Sequence, residues 1–149
     1  MSAIPPIKHP KLRRLYEYWD GKRGARAMPS RADLDPVDIR FAIGDVILVD
    51  VLDEQPPRFR IRLHGTNLSE RTNFDLTGKM LDEMPAPEFR ELSTRSFRKV
   101  LRTREPLHAL AARPLDGRTQ RYEAIIMPLS SDGERVDRLI LGMIYDPLR

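Results

Sequence analysis

Residues 137–145, DRLILGMIY, form the stretch that decides the fold, because apolar side chains occupy both faces of a predicted strand. One face would carry Leu139, Leu141, Met143 and Tyr145, and the other would carry Ile140 and Ile144 with Gly142 between them. A strand with one face in water alternates apolar and polar residues, so two-sided apolarity indicates a strand covered on both faces. We therefore expect this strand at the centre of a sheet, with other layers above and below it.

Four further strands are predicted upstream. Residues 45–52, DVILVDVL, form a mainly aliphatic run, whereas residues 58–64, RFRIRLH, alternate strictly. The other two span residues 107–113 and 119–128. The pairs Asp116-Gly117 and Asp132-Gly133 separate apolar runs and predict hairpins, so neighbouring strands should be antiparallel.

Helices are predicted before and between the two groups of strands. Apolar residues recur at helical spacing over residues 10–24 and 88–104, and shorter helical pieces occupy residues 66–86. Asp35 is suited to cap a short helix that begins at Pro36. The order of elements predicts an α+β fold with the helical block on one face of the sheet and the N-terminal helix on the other.

Composition excludes several classes of protein. The chain has 149 residues, 40% of them apolar, which fits one domain. It has no cysteine, which excludes a disulfide scaffold, a cysteine-ligated zinc or iron–sulfur site and a thiol nucleophile. No apolar run approaches the ~20 residues that cross a bilayer, and the N-terminus lacks the apolar core of a signal peptide. We expect a soluble, cytoplasmic protein that does not bind membranes.

Positive charge is concentrated at the N-terminus. The net charge is +4, and residues 1–31 hold eight basic side chains against two acidic ones. A basic arm of this kind can attract nucleic acid, which is the alternative function that we consider. However, 21 of the 26 basic residues are arginine, a skew that genome composition produces, and no element for reading bases is visible.

A family resemblance rests on residues 59–68, FRIRLHGTNL, and residues 75–79, DLTGK, which are similar to the corresponding stretches of the PAS sensor fold. Residues 15–19, LYEYW, 28–36, MPSRADLDP, and 127–133, MPLSSDG, are similar to a bacterial family of single-domain PAS-like proteins. The resemblance implies a five-stranded antiparallel sheet with helices on one face, an extra N-terminal helix, and a sensory or interaction module. Residues 1–36 would form the basic helix and a crossing segment of the same domain, and residues 37–149 the PAS-like domain.

PAS-like folds can leave a pocket between the sheet and the helices. We predict as its walls Leu63, Leu68, Phe74, Phe97, Tyr122, Ile126 and Met143, with His64 and Asn67 as polar groups. A small apolar or weakly acidic metabolite would suit such a pocket, and no particular cofactor is implied. The alternative is that these side chains simply fill the core at normal density.

The remaining features point away from catalysis. His9, His64 and His108 are too scattered for a metal site, and no constellation provides an acid, base or nucleophile, so we predict a protein that is not an enzyme. Leu12, Leu15, Tyr16 and Trp19 form an apolar stripe that we expect to contact a second copy in a homodimer, or a signalling partner. Arg58, Arg60 and Arg62 form a row that we expect under the N-terminal helix, paired with Glu17 or Asp20, or else at a subunit interface or an anion site.

Overall fold

The computed structural model describes residues 4–147, and a five-stranded antiparallel sheet forms its centre. The strands are β1 (Val46–Leu52), β2 (Arg58–His64), β3 (Leu107–Leu115), β4 (Arg118–Leu129) and β5 (Arg138–Tyr145). Their order across the sheet is β2-β1-β5-β4-β3, with every pair antiparallel. The prediction that the last strand lies at the centre is confirmed.

Three helices accompany the sheet: α1 (Pro10–Arg23), α2 (Thr66–Thr72) and α3 (Pro87–Thr103). Proline occupies the first position of α1 and α3, where its missing N–H leaves no intrahelical bond unmade. The His9 side chain caps α1, since its Nδ1 accepts a hydrogen bond of 3.1 Å from the Lys11 N–H. Two of the predicted helices therefore end within one residue of their observed bounds.

Alternation along the strands divides the side chains between two faces of the sheet. We call the face covered by α2 and α3 the inner face, and the face covered by α1 the outer face. The buried side chains of Leu12, Leu15 and Trp19 lie against the outer face, where the Trp19 Nε1–H donates to the Pro128 carbonyl at 2.9 Å. The arrangement agrees with the predicted α+β architecture.

The turns follow the local sequence chemistry. Asp116 and Gly117 both have positive φ angles, 54° and 75°, as a two-residue hairpin turn between β3 and β4 requires. The segment from Pro36 differs from its prediction, because it forms successive four-residue turns rather than a regular helix. Asp35 still caps it, since its Oδ1 accepts from the Val37 N–H at 3.0 Å.

Residues 1–3 of the predicted range 1–36 lie outside the described residues, as do residues 148–149 of the predicted range 37–149. Within the described part, α1 packs directly on β4 and β5. No helix formed by residues 4–147 is both long enough and apolar enough to span a membrane.

Candidate ligand cavity

A cavity of about 390 Å³ lies between the inner face of the sheet and the layer formed by α2, α3 and the segment that joins them. Its lining is mostly apolar and draws side chains from all five strands. Phe74 and Leu92, each more than a third exposed, belong to the lining and mark its rim. The volume falls within the range of roughly 300–1,000 Å³ that is typical of small-molecule sites.

Three alanines on the sheet create this space. Ala109 and Ala111 on β3 line the cavity together with Ala124 on β4. Ala109 pairs directly with Ala124, and Ala111 pairs with Tyr122, so the methyl groups form one continuous patch. Larger aliphatic residues at these positions would fill the space beneath the helices. Protein cores normally pack without voids larger than a water molecule, so the open space is a distinct feature of this fold.

Seven of the nine residues that the sequence assigned to the pocket line this cavity: His64, Leu68, Phe74, Phe97, Tyr122, Ile126 and Met143. Leu63 and Asn67 do not belong to the lining. The two exceptions have separate structural causes.

A bulge in β2 explains Leu63. The register places Ile61 opposite Val49 but Leu63 opposite Leu48, so Arg62 is an extra residue without a partner in β1. Because the bulge interrupts the alternation, His64 reaches the same inner face as Ile61, and Leu63 turns to the outer face. The strict alternation predicted for residues 58–64 is thus wrong at its C-terminal end.

Asn67 is held outside the cavity by a polar contact. Its Nδ2 donates to Oδ1 of the buried Asp45 at 3.0 Å. The amide also packs so closely on Gly44 that a Cβ at Gly44 would lie 2.7 Å from Nδ2. Asn67 therefore joins the start of α2 to the segment that precedes β1 and does not act as a polar group of the pocket.

His64 is the buried polar group on the β2 side of the cavity. Its Nδ1 accepts from the Leu76 N–H at 3.3 Å and lies 3.0 Å from the Ser69 hydroxyl. Since the backbone N–H can only donate, we assign the proton of the neutral ring to Nε2. Burial lowers the pKa of His64, and the nearby Asp75 only partly offsets this effect, so the ring is held in its neutral form.

Arg113 forms a cationic end of the cavity on β3, the opposite edge strand. Its guanidinium stacks on Phe89 at 3.6 Å from the ring centroid, and Nη1 donates to the Tyr145 hydroxyl at 3.3 Å. Nε is buried and has no hydrogen-bond partner among the described residues. Sequence reasoning missed this residue, although the alternation Ala109, Ala111, Arg113 along β3 places it on the alanine face.

The stripe expected to contact a second copy is not exposed. Leu12, Leu15 and Trp19 are at most 3% exposed and belong to the core of this chain, and Tyr16 packs against that core as a half-buried residue. The expectation of an exposed stripe is corrected, because the outer face of the sheet of the same chain already covers it.

The arginine row on β2 has other partners than predicted. Arg58 makes a two-point contact with Asp82, at 2.9 and 3.1 Å. Arg62 and Arg60 approach Asp50 at 2.7 and 3.8 Å. Neither Glu17 nor Asp20 takes part, because α1 packs on β4 and β5 whereas the row lies on the edge strand β2.

Asp50 on β1 is the buried centre of this charge cluster. Its Oδ1 also accepts from Arg138 Nε at 3.1 Å. Burial raises the pKa of Asp50, but the hydrogen bonds from Arg62 and Arg138 outweigh that effect and hold the pKa below its usual value. These arginines are engaged in internal ion pairs and do not form an anion site.

Glu123 ties the N-terminal segment to the outer face. Its carboxylate accepts from the Lys8 N–H at 2.7 Å and the His9 N–H at 2.8 Å, and it lies 2.6 Å from His108 Nε2. Burial alone would raise the pKa of Glu123. The hydrogen bonds from Lys8, His9 and His108 outweigh this effect, so the pKa lies below its ordinary value. The contact fixes the residues just before α1 to β4.

Most cations of the basic N-terminal arm make contacts within the chain. The ion pairs are Lys11–Asp45, Arg23–Asp20 and Arg26–Asp33, and the other contacts are Arg13 to the Ile7 carbonyl, Arg14 over the Phe41 ring and Arg31 to the Leu34 carbonyl. The observation disfavours the nucleic-acid alternative, which needs these groups free for phosphates. In the range 4–147 no three acidic or histidine side chains converge as a metal site would require.

Solved structures share this fold at low sequence identity. The PAS domain of BvgS from Bordetella pertussis has a TM-score of 0.56 and 19% identity, over 78% of this chain and 90% of that chain. A sensory box sensor histidine kinase from Vibrio cholerae has a TM-score of 0.52 and 14% identity, over 75% and 90%. VqmA bound to DPO has a TM-score of 0.52 and 17% identity, over 77% of this chain and 60% of that one. These similarities show the fold.

The sequence comparisons establish the family. No curated protein matches the chain. The sequence profile described as the PAS domain matches residues 7–145, which include nearly all of the described residues. Modules of this kind serve in sensing and signal transduction. The chain therefore belongs to the PAS-domain family.

Proposed function

We propose that the protein is a non-enzymatic sensory module that binds a small, mainly apolar ligand in the cavity. The observation that carries the proposal is the volume of about 390 Å³ beneath α2 and α3. Natural cores seldom leave such space empty, because a void forfeits the dispersion contacts of the side chains around it. The alanine patch on β3 and β4 keeps the space open, which a ligand site requires and a merely structural core does not.

The lining supports a ligand with an apolar body and few polar groups. Leu68, Ile126 and Met143 provide apolar surface, while His64 and Tyr122, through its hydroxyl, supply a small number of polar groups. Few polar groups among many apolar ones are typical of sites that bind small molecules. The solved structure of VqmA is described as bound to DPO, which gives a precedent for a small ligand in a protein of this fold.

The response to the ligand would be a shift between conformations. A ligand favours the conformation that it binds more tightly, and a partner protein or a second copy of the chain can then distinguish the two states. The apolar stripe of α1 is already buried in the chain, so we propose that another surface makes that contact.

Binding of N-phenyl-1-naphthylamine, an uncharged fluorescent probe, tests the proposal. We expect the purified protein to enhance its fluorescence with saturation, and Ala109→Leu to abolish the effect by filling the cavity. Ala112→Leu is the matched control, because Ala112 is exposed on the other face of the same strand.

Two outcomes would contradict the proposal. One is a wild-type protein that does not bind the probe. The other is an Ala109→Leu variant that binds it as tightly as the wild type while circular dichroism shows both to be folded.

A further inference from the structure

We infer that the ligand of the cavity is a monocarboxylic acid with an elongated apolar body, and that Arg113 binds its carboxylate. The inference rests on the proposed ligand-binding function and adds the chemical class of the ligand. It comes from Arg113, the one cation that residues 4–147 contribute to the mainly apolar lining of the cavity.

The Arg113 guanidinium has fewer partners than its hydrogen-bonding capacity requires. Stacking on Phe89 fixes the plane of the group, and Nη1 reaches the Tyr145 hydroxyl, but the buried Nε–H donates to nothing in the described chain. A guanidinium offers five N–H donors in a planar fork that matches a carboxylate. Buried donors are nearly always satisfied, so the missing partner calls for an explanation. Because Nε has almost no accessible surface, a ligand carboxylate reaches it only when the Arg113 side chain shifts on binding.

No carboxylate of the described residues neutralises this cation. Asp116 also lines the cavity but forms no ion pair with Arg113. Arg58 and Arg62, by contrast, have acidic partners in Asp82 and Asp50. An anion supplied by the ligand would complete the missing pair at this position.

The shape of the cavity favours one charged group on a long apolar body. Arg113 lies on β3 and His64 on β2, the two edges of the sheet, four strand spacings or roughly 19 Å apart at the backbone. Apolar side chains of the intervening strands, such as Met143 and Leu141, line the space between. Among the described lining residues a second negative charge would meet no second cation, because His64 is held neutral.

Competition between matched acids and alcohols tests the inference. The bound N-phenyl-1-naphthylamine is displaced with decanoate or decan-1-ol, and separately with 4-phenylbutyrate or 4-phenylbutan-1-ol. We expect the wild type to bind at least one acid more tightly than its alcohol. In Arg113→Met that acid should lose about tenfold or more in affinity, the loss of a charge-assisted contact, while the alcohol stays within about twofold.

Arg121→Met provides the control for general charge effects. Arg121 is exposed on the adjacent strand β4, faces away from the cavity and should leave both affinities unchanged. If Arg113→Met keeps the preference for the acid, or if neither acid binds the wild type better than its alcohol, the inference is wrong and the cavity still binds apolar ligands. Failure of the probe itself to bind the wild type overturns the proposed function and this inference together.

Discussion

The two faces of the central sheet use small residues for opposite purposes. On the outer face, Gly142 is small because α1 fills the space: a Cβ there would lie 2.6 Å from Leu12 Cδ2 and 2.8 Å from Leu15 Cδ2. On the inner face, Ala109 and Ala124 are small and the space above them stays open. The comparison shows that a small residue does not by itself indicate loose packing. The packing density also depends on which side chains the opposite layer of helices places against that residue.

Equal truncations on the two faces should have unequal costs, and this is the largest effect that we predict. Leu12→Ala removes a fully buried side chain from the packed outer face and should lower the free energy of unfolding by about 3–4 kcal/mol. Leu68→Ala removes a side chain that already borders the cavity and should cost about 2 kcal/mol, because fewer contacts are lost. Urea denaturation measures both values, and a larger loss for Leu68→Ala would contradict the comparison.

Adding methyl groups should give opposite results on the two faces. Gly142→Ala forces Leu12 and Leu15 to move and should destabilise the protein by about 1–3 kcal/mol. Ala124→Val points into the cavity and should change stability by less than about 0.5 kcal/mol, or increase it slightly. Thermal unfolding of the two variants beside the wild type tests the prediction, which fails if Gly142→Ala is the better tolerated.

Stability should depend on the buried titratable groups of the two faces in different pH ranges. This is the smallest of the effects on stability that we predict. The lowered pKa of His64 means that the unfolded chain takes up its proton first, so stability falls as the pH drops below about 6.5. The lowered pKa of Glu123 stabilises the fold above about pH 4.5, and this contribution is lost as the pH falls through the pKa of the folded state.

Substitution separates these two pH ranges. His64→Gln should flatten the stability curve below pH 6.5, and Glu123→Gln should flatten it only at more acidic pH. Each change in slope is at most about 1.4 kcal/mol per pH unit, the value for one proton. Unfolding measured across pH 3–8 tests this, and identical curves for the wild type and His64→Gln would contradict the assignment of a neutral buried ring.

The architecture could be predicted from the sequence because its signals are local and strong. Two-sided apolarity over 137–145 places β5 at the centre, and the Asp116-Gly117 pair marks the hairpin between β3 and β4 without reference to the rest of the chain. Proline at position 87 similarly marks the start of α3. Each of these features acts through the backbone conformation of a few neighbouring residues.

The candidate site was only partly predictable, because its remaining features depend on tertiary approach. Nothing in residues 58–64 marks Arg62 as the bulged residue, since the bulge arises from the pairing with β1. The partner of Arg58 comes from a segment 24 residues away, which spacing along one strand cannot reveal. The cavity itself depends on how far the side chains of α2 and α3 reach toward the alanines of the sheet, which the alanines alone do not indicate.

Strand β4 belongs to both faces at once. Tyr122 and Ala124 form part of the wall of the cavity. The intervening Glu123 points the other way and accepts hydrogen bonds from the backbone just before α1. Neighbouring residues of one strand cannot be displaced independently. Any displacement of Tyr122 and Ala124 would therefore also displace the Glu123 carboxylate and the backbone of Lys8 and His9 that it holds.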